Sequence, residues 1–315
     1  MPNEPLLIAD VPWLLYRSFF ALPKSIVDAE GHPVNALLGT VNALLSLIDA
    51  RLPARGFRSV VACMGAEQAD YRVALYPAYH AHRDPMPAEL AAQWEKAPRL
   101  LEGLGWMAPT SVDLEADDLM FSFAKLEEEA GGRALLLTGD RDLYGAVSDS
   151  VAVVELRKGV EAEIGPAQVR DRYGVAPEQV PDFIALRGDP SDGLPGAPGI
   201  GAKTAAELLR AHGTLERVLA AAQDDDNDDD DNDNDNDNDN DNDPTGAAAG
   251  MRPRTRAALC ENAELLGVFK QIATLQRIET TRAPDLMSDF AGGARVAREM
   301  GMRRLAERLD GLAKG

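Results

Sequence analysis

Four short apolar runs in the N-terminal half constrain the fold of this chain more than any other feature. They are rich in Val, Leu and Ile, and each ends at a turn or an acidic residue: "PLLIAD" (5–10), "RSVVACMG" (58–65), "RALLLTGD" (133–140) and "VAVVEL" (151–156). Continuous runs of this kind are typical of parallel strands that are buried on both faces. Amphipathic segments long enough to be helices lie between them, at 35–48, 88–104 and 115–130. The pattern predicts an α/β fold with a mostly parallel sheet.

Beyond about Gly165 the strand signals largely disappear, and helical segments joined by short loops take over. One loop is the Gly/Pro-dense hairpin "GLPGAPGIGAKTA", which leads into a helical segment. A final helix with five arginines is predicted at Ala294–Ala313. We therefore expect three parts: an α/β domain at 1–175, a helical region at 176–290 and a C-terminal helix at 291–315.

A run of twenty residues from Asp224 to Asp243 contains only Asp and Asn. The chain has 52 acidic and 32 basic residues, and 13 of the acids lie in this run, so the net charge of −20 falls to −7 without it. A calcium-binding loop would need a glycine and a distal glutamate, and the run contains neither. Its low hydrophobicity and high charge predict a disordered, solvated insertion in the helical region.

Cysteine content and hydropathy point to a soluble protein of the reducing cytoplasm. The two cysteines, Cys63 and Cys260, form no C-x-x-C pattern and suggest no disulfide framework. The N-terminus lacks the features of a signal peptide, and no run of about 18 apolar residues occurs. We expect a cytoplasmic protein with no membrane segment.

Eight carboxylates outside the Asp/Asn run are the candidates for a functional site. They follow predicted strands or begin predicted helices in four clusters: Asp10; Glu115, Asp117 and Asp118; Asp140 and Asp142; Asp189 and Asp192. Taken singly, each could be a turn residue or a helix cap. Acids that converge on one cleft repel one another unless cations neutralise them. Hard oxygen ligands select Mg²⁺ or Mn²⁺, and two such ions suit phosphodiester hydrolysis.

Five segments in succession resemble the motifs of the 5′-3′ exonuclease and flap endonuclease family, which includes the 5′-nuclease domain attached to bacterial DNA polymerase I. They are "LLIADVPWLLYRSFFALP", "YRVALYPAYHAHRDPMPAEL", "EADDLMFSFA", "LLTGDRDLYGAVSD" and "VPDFIALRGDPSDGLPGAPGIGAKTAAELL". The resemblance implies a PIN-like nuclease domain followed by a helix-three-turn-helix DNA-binding region. It also implies a monomeric, nucleoid-associated enzyme that acts on 5′ ends, flaps or primers of DNA in replication or repair.

By position in these motifs, the resemblance assigns roles to individual residues. It implies two Mg²⁺ or Mn²⁺ ions. The ligands of the first would be Asp10, Glu115 and Asp117, with Asp118 close by. The ligands of the second would be Asp140, Asp142, Asp189 and Asp192. The resemblance assigns catalytic contacts near the phosphate to Arg72, His80 and Arg83. The tyrosines of the same segment, Tyr71, Tyr76 and Tyr79, suit a displaced single strand, and the alternative is that Tyr76 or Tyr79 packs into the core. The resemblance also assigns contacts with DNA phosphates to Gly199, Ile200, Gly201, Lys203, Thr204, Arg254 and Arg256. It further implies a K⁺ ion bound at the hairpin.

Two positions depart from the family pattern. Gly65 stands where the family has an acid at the end of the second strand, so the first metal site lacks a ligand, for which Glu67 or Asp70 would be the substitute. A Gly65→Asp variant with a raised rate would support that interpretation. His80 stands where the family usually has lysine. These departures motivate an alternative function, a catalytically weakened protein that binds branched DNA. A PIN-type ribonuclease is a further alternative, which the DNA-binding hairpin disfavours.

Two further points concern the Asp/Asn run and the protein partners. The Asp/Asn run is either a solvated linker or a weak mimic that competes with DNA for the basic surface. Any polymerase or ligase partner is left unidentified by the sequence.

Overall fold

The computed structural model describes residues 4–51, 56–157, 160–224 and 251–314. Within these ranges five strands form one sheet in the order β2-β1-β3-β4-β5. The strands are β1 (Leu6–Asp10), β2 (Ser59–Cys63), β3 (Ala134–Leu137), β4 (Val151–Arg157) and β5 (Val160–Ile164). β1 pairs in parallel with both β2 and β3, and β3 pairs in parallel with β4. The predicted α/β fold with a mostly parallel sheet is confirmed.

The first four strands coincide with the four apolar runs, because burial on both faces demands continuous apolar sequence. All residues of β1, β2 and β3 are buried. β5 was not predicted; it pairs antiparallel with β4 at the edge of the sheet. Its sequence "VEAEI" alternates apolar and acidic residues, which is typical of an edge strand with one solvated face.

Two compact units make up the chain. The first contains residues 1–74, 83–166 and 275–315, and includes the whole sheet. Its helices are α1 (Val11–Ala21), α2 (Asn35–Arg51), α3 (Asp70–Leu75, whose last residue belongs to the second unit), α4 (Ala88–Gly103), α5 (Ala116–Glu129), α12 (Phe290–Glu299) and α13 (Arg303–Leu312), with a 3₁₀ turn at Asp142–Ala146. Apolar residues of β1, α1, α2, α4 and α12 form the main core.

The C-terminal segment forms two helices where the sequence predicted one at Ala294–Ala313. The break falls at Gly301, which has a φ of 73° and ends α12. A Cβ at Gly301 would lie 2.6 Å from the backbone nitrogen of Ala29. A close tertiary contact and a left-handed backbone therefore interrupt a pattern that continues in the sequence.

The second unit contains residues 75–82 and 167–274. Its helices are α6 (Pro166–Tyr173, whose first residue belongs to the first unit), α7 (Val180–Arg187), α8 (Ala202–His212), α9 (Leu215–Asp224), α10 (Pro253–Glu261) and α11 (Ala263–Ala273), with a 3₁₀ turn at Pro177–Gln179. Lys270 on α11 lies 2.7 Å from carboxylate oxygens of both Asp182 on α7 and Glu216 on α9. The ion pairs join three helices of this unit.

The Asp/Asn run begins where α9 ends, at Asp224. Its other residues, 225–243, lie outside the described residues. In the described ranges, no helix has both the length and the apolar character needed to cross a membrane.

Candidate metal centre and nucleic-acid-binding site

Asp10 lies at the carboxyl end of β1, an inner strand of the sheet, and open parallel sheets bind their ligands at this end of the strands. Its Oδ1 accepts a hydrogen bond from the backbone nitrogen of Trp13 (2.9 Å), which caps α1, and its Oδ2 accepts one from the hydroxyl of Thr138 (2.8 Å). The same hydroxyl accepts a hydrogen bond from the backbone nitrogen of Asp140 (3.0 Å). Thr138 therefore connects two predicted metal ligands on neighbouring strands. Sequence reasoning missed it, although it stands inside the quoted "LLTGD" motif.

The Asp10 carboxyl is only 7% exposed. Its pKa is raised from 3.8 to about 6, chiefly by burial; the hydrogen bonds from Trp13 and Thr138 oppose this rise, and the nearby charges of Asp117 and Glu115 add to it. The shift shows that the negative charge of this carboxyl is poorly compensated by the protein itself. A cation close to Asp10 would stabilise the ionised carboxylate.

Arg72 on α3 is surrounded by the acids at the start of α5. Its guanidinium lies 2.9 Å from Glu115, 3.2 Å from Asp117 and 3.1 Å from Asp118. The whole residue is only 2% exposed. Its position differs from the expectation of a phosphate contact, because a guanidinium buried among three carboxylates is held by them and presents almost no surface to DNA.

Asp118 is fully buried, and its carboxylate contacts three other residues. Its Oδ1 accepts a hydrogen bond from the backbone nitrogen of Gln276 (2.7 Å) as well as from Arg72, and its Oδ2 lies 3.4 Å from the hydroxyl of Tyr71. Burial and the charge of Asp117 raise its pKa. Glu115 is also engaged, because its Oε1 accepts from the backbone nitrogen of Ala69 (2.7 Å). Of the four acids in this region, Asp118 is therefore the least accessible to an ion.

Gly65, where the family pattern has an acid, is packed directly against the first turn of α5. A Cβ at this position would lie 2.2 Å from the backbone nitrogen of Ala116 and 2.7 Å from the Cα of Glu115. The other acids considered as substitutes are Glu67, whose carboxylate accepts a hydrogen bond from the hydroxyl of Tyr16, and Asp70, which is exposed at the start of α3. The space for a side chain at position 65 is thus closed by backbone.

Asp140 and Asp142 follow β3. Asp140 is exposed, and its Oδ1 accepts a hydrogen bond from the backbone nitrogen of Asp142 (2.9 Å). Gly139, just before them, lies under the indole of Trp13, since a Cβ there would be 2.4 Å from three ring atoms. The guanidinium of Arg17 lies 5.6 Å from the centre of that ring. An aromatic ring with a nearby cation therefore supports the loop that carries Asp140.

Asp189 and Asp192 lie in the second unit, in a tight loop after α7. The backbones of Asp189 and Leu194 exchange two hydrogen bonds of 2.8 Å. The Oδ1 of Asp189 accepts a hydrogen bond from the backbone nitrogen of Ser191 (2.8 Å), and its Oδ2 lies 3.2 Å from Arg187. The loop holds both acids in a defined turn.

His80 and Tyr79 are buried, at 4% and 3% exposure, and their rings stack with centroids 3.8 Å apart. The Nε2 of His80 lies 3.0 Å from the Oδ1 of Asp192, within the second unit. Tyr76 packs its ring edge-on against Phe269 at 5.2 Å. Tyr76 and Tyr79 thus follow the packing alternative, whereas the burial of His80 differs from the expectation of a basic surface for single-stranded DNA. Arg83, in the first unit, is exposed.

The predicted DNA-binding hairpin leads into α8. Gly199 has a φ of 78°, Gly201 precedes the first residue of α8, and neither would bring a Cβ within 4 Å of another atom. Ile200, between them, is buried at 4% exposure and anchors the turn. Lys203 is exposed and Thr204 is partly exposed in the first turn of α8; on α10, Arg254 is exposed and Arg256 partly so. The amino end of α8 is thus open to an approaching phosphate.

One trio among the described residues has ligand atoms all within 4.8 Å of one another, namely Asp28, Glu30 and His32 in the loop after α1. None of the predicted metal ligands belongs to it. The Nδ1 of His32 lies 3.5 Å from a carboxylate oxygen of Asp28 and 3.6 Å from one of Glu30, so the three side chains contact one another directly.

Comparison with known families decides what kind of protein carries these sites. Residues 5–174 match a family model described as the 5′-3′ exonuclease N-terminal resolvase-like domain, and residues 175–284 match the 5′-3′ exonuclease C-terminal SAM fold. The chain belongs to the 5′-3′ exonuclease family. The resemblance seen in the five sequence motifs is confirmed.

Relatives of known name agree with this assignment. A 5′-3′ exonuclease of Mycobacterium tuberculosis is 36% identical over 244 residues, which cover 70% of this chain and 75% of that protein. DNA polymerase I of Mycobacterium bovis is 38% identical over 68% of this chain, and the thermostable DNA polymerase I of Thermus thermophilus is 39% identical over 69%. The chain spans about a quarter of the length of these two polymerases.

Solved structures share the fold at low sequence identity. Bacteriophage T5 5′-exonuclease with bound zinc aligns with a TM-score of 0.66 and 16% identity, over 98% of this chain and 100% of that one. The catalytic core of Rad2 in complex with DNA substrate aligns with a TM-score of 0.61 and 13% identity, over 99% and 92% of the two chains. The fold of this family member is therefore that of known nucleases.

Proposed function

We propose that this family member is a divalent-metal-dependent 5′-nuclease that hydrolyses phosphodiester bonds at 5′ ends or flaps of DNA. The observation that carries the proposal is the excess of carboxylates at the carboxyl end of β1. Three acids, Glu115, Asp117 and Asp118, surround a single arginine, Arg72, and a fourth, Asp10, is near enough for the charges of Asp117 and Glu115 to raise its pKa. With every acid ionised the group carries three uncompensated negative charges, a state that oxygen-seeking cations stabilise.

The donor set fits Mg²⁺ or Mn²⁺, because all the candidate ligands are carboxylate oxygens. Asp10, Glu115 and Asp117 would hold the first ion, and Asp140 and Asp142 would bind the second. Asp189 and Asp192 are proposed as metal ligands on the resemblance alone. When bound, such ions supply an activated water and neutralise charge that develops on the phosphate.

The protein's own residues prepare this site in three ways. Thr138 fixes the Asp10 carboxylate and the Asp140 backbone with one hydroxyl group. Arg72 holds the acids of α5 together and limits their mutual repulsion. Arg83, which is exposed, is the side chain that we propose contacts the phosphate, since a guanidinium can donate two parallel hydrogen bonds to it.

The hairpin before α8 supplies the proposed contact with duplex DNA. The open faces of Gly199 and Gly201 let a phosphate reach the amide groups at the helix start, and exposed Lys203 adds a positive charge. Arg254 on α10 would add a further phosphate contact. We propose K⁺ at the hairpin on the resemblance alone. A cytoplasmic monomer is proposed on the same ground.

The test uses purified protein and a duplex that carries a labelled 5′ flap. We expect cleavage with Mg²⁺ or Mn²⁺ and none with EDTA. Asp140→Asn should abolish cleavage and leave flap binding intact, whereas Asp149→Asn, an exposed acid nine residues along, should leave both unchanged. Tight binding without cleavage by the wild-type protein would instead support the branched-DNA-binding alternative, which the matches to nuclease families do not favour.

A further inference from the structure

His80 has an unusual backbone for its residue type. Its φ is 56°, and it is the one non-glycine residue with a positive φ in the described part of the chain. A left-handed conformation at such a residue costs free energy, and it persists only where surrounding contacts require it. At 4% exposure, those contacts come from the protein.

His80 makes two contacts with Asp192. The backbone nitrogen of His80 donates a hydrogen bond to the backbone oxygen of Asp192 (3.1 Å). The ring Nε2 lies 3.0 Å from the Oδ1 of Asp192. Because an ionised carboxylate only accepts hydrogen bonds, Nε2 carries the proton of this contact. The left-handed backbone thus lets one residue hold both the main chain and the side chain of Asp192.

The surroundings make this connection rigid. The imidazole stacks on Tyr79 with an interplanar angle of 22°. A Cβ at Gly193, next to Asp192, would lie 3.0 Å from the backbone oxygen of Ala78, so the two chain segments are in close contact. Both segments, 75–82 and the 189–194 loop, belong to the second unit. Neither can shift alone without losing a hydrogen bond or a ring contact.

We propose that His80 is a positioning residue that fixes the carboxylate of Asp192 for metal binding, instead of the phosphate-contacting cation that the family pattern suggests at this position. The inference rests on the proposed function, because it takes Asp192 as a metal ligand. The hydrogen bond engages Oδ1 and thereby sets the direction of the second oxygen. Partners that orient a ligating group in this way typically change metal affinity by about 10- to 100-fold when they are removed.

The first measurement is hydrogen exchange on the metal-free protein, with His80→Ala, His80→Asn and a control, His212→Ala. Asn tolerates a positive φ, so His80→Asn keeps the backbone while removing the ring. We expect both His80 variants to lose protection in 76–82 and 189–194. His212 is a partly exposed histidine at the end of α8, outside both segments, and its variant should keep that protection.

The second measurement is Mn²⁺ titration by calorimetry in the absence of DNA. Both His80 variants should bind the weakest-held Mn²⁺ about 10- to 100-fold less tightly than wild type, and His212→Ala should match wild type. The inference is overturned if His80→Asn keeps wild-type exchange and Mn²⁺ affinity. It is also overturned if His80→Lys raises flap cleavage at unchanged Mn²⁺ affinity, because the side chain would then act on the phosphate.

The two proposals fail in different ways. A wild-type protein that does not cleave a flap would reject the nuclease function, yet the exchange and titration results would still decide the role of His80. Conversely, a wild-type protein that cleaves, together with His80 variants that match it in exchange and Mn²⁺ affinity, would reject the role of His80 alone.

Discussion

Gly65 packs so closely against Glu115 that a Cβ on the glycine would lie 2.7 Å from the Cα of the glutamate and 2.2 Å from the next backbone nitrogen. From the sequence, Gly65 was a missing metal ligand, and an aspartate there was expected to restore it. The structure gives a different reason for the glycine. The backbone of α5 occupies the space that a side chain would need.

The first prediction is that Gly65→Asp fails to raise the cleavage rate and lowers stability. Forcing atoms into a closed space costs about 1–3 kcal/mol and displaces the neighbouring backbone, which here carries Glu115. Gly65→Ala should also lower the unfolding free energy. The matched control is Gly267→Ala in the interior of α11, where a Cβ meets nothing within 4 Å and the change should be neutral or stabilising. A faster and equally stable Gly65→Asp enzyme would contradict the packing argument.

The second prediction concerns Asp10 and pH in the metal-free protein. Its pKa is about 6 in the folded state against 3.8 as the ordinary value. Between these values the folded state binds more protons than the unfolded state, so the contribution of Asp10 to stability falls as the pH rises from about 4 to about 6. The Asp10→Asn variant has no carboxyl group at position 10, so its stability does not fall in this way. Its unfolding free energy relative to wild type should therefore rise over that range by about 1–3 kcal/mol and stay constant above it.

Urea unfolding in EDTA at several pH values from 4 to 8 measures this difference. Asp149→Asn, which changes an exposed acid, should track the wild type throughout. A difference between Asp10→Asn and wild type that does not vary with pH would mean that the Asp10 carboxyl titrates normally.

The third prediction concerns Glu127 on α5, which is 1% exposed. Its carboxylate accepts hydrogen bonds from Arg58 (3.0 Å) and Arg282 (2.9 Å), so it joins β2 and the segment before α12. Glu127→Ala would leave the buried guanidinium of Arg58 without its main partner and should cost about 3–5 kcal/mol. The matched control is Glu129→Ala, which removes an exposed pair with Arg277 and should cost at most about 1 kcal/mol. Urea unfolding of both variants tests the contrast, and equal losses would refute it.

The sequence predicted the parts of the fold that depend on local pattern. The four buried strands follow from continuous apolar runs, and helices α2, α4 and α5 follow from amphipathic segments. The break between α12 and α13 was missed because it depends on the contact between Gly301 and Ala29, which are far apart in sequence.

At the site, the acids and their positions at strand and helix ends were predicted from residue type and order. The contacts that each charged side chain makes were not predicted. Arg72 and His80 were expected to contact DNA, but their burial among carboxylates and aromatic rings depends on which segments pack together. Thr138 was missed for a similar reason, since a lone threonine after a strand has no distinctive pattern, and only the geometry connects it to Asp10 and Asp140.

The last prediction separates DNA binding from folding at Gly201. Its φ of −87° and ψ of −177° suit any residue, and a Cβ there meets nothing within 4 Å. Gly201→Ala should therefore change the unfolding free energy by less than about 1 kcal/mol. A methyl group would still cover the amide groups at the start of α8, and losing one hydrogen bond to a charged phosphate should weaken flap binding about tenfold.

Fluorescence anisotropy with a labelled flap duplex, in Ca²⁺ and at fixed salt, measures this effect. Gly311→Ala in α13 is the control, because its Cβ also meets nothing within 4 Å and it lies outside the proposed DNA-binding hairpin. Wild-type affinity in Gly201→Ala would mean that the glycine serves only the turn. The phosphate contact would then have to come from side chains such as Lys203.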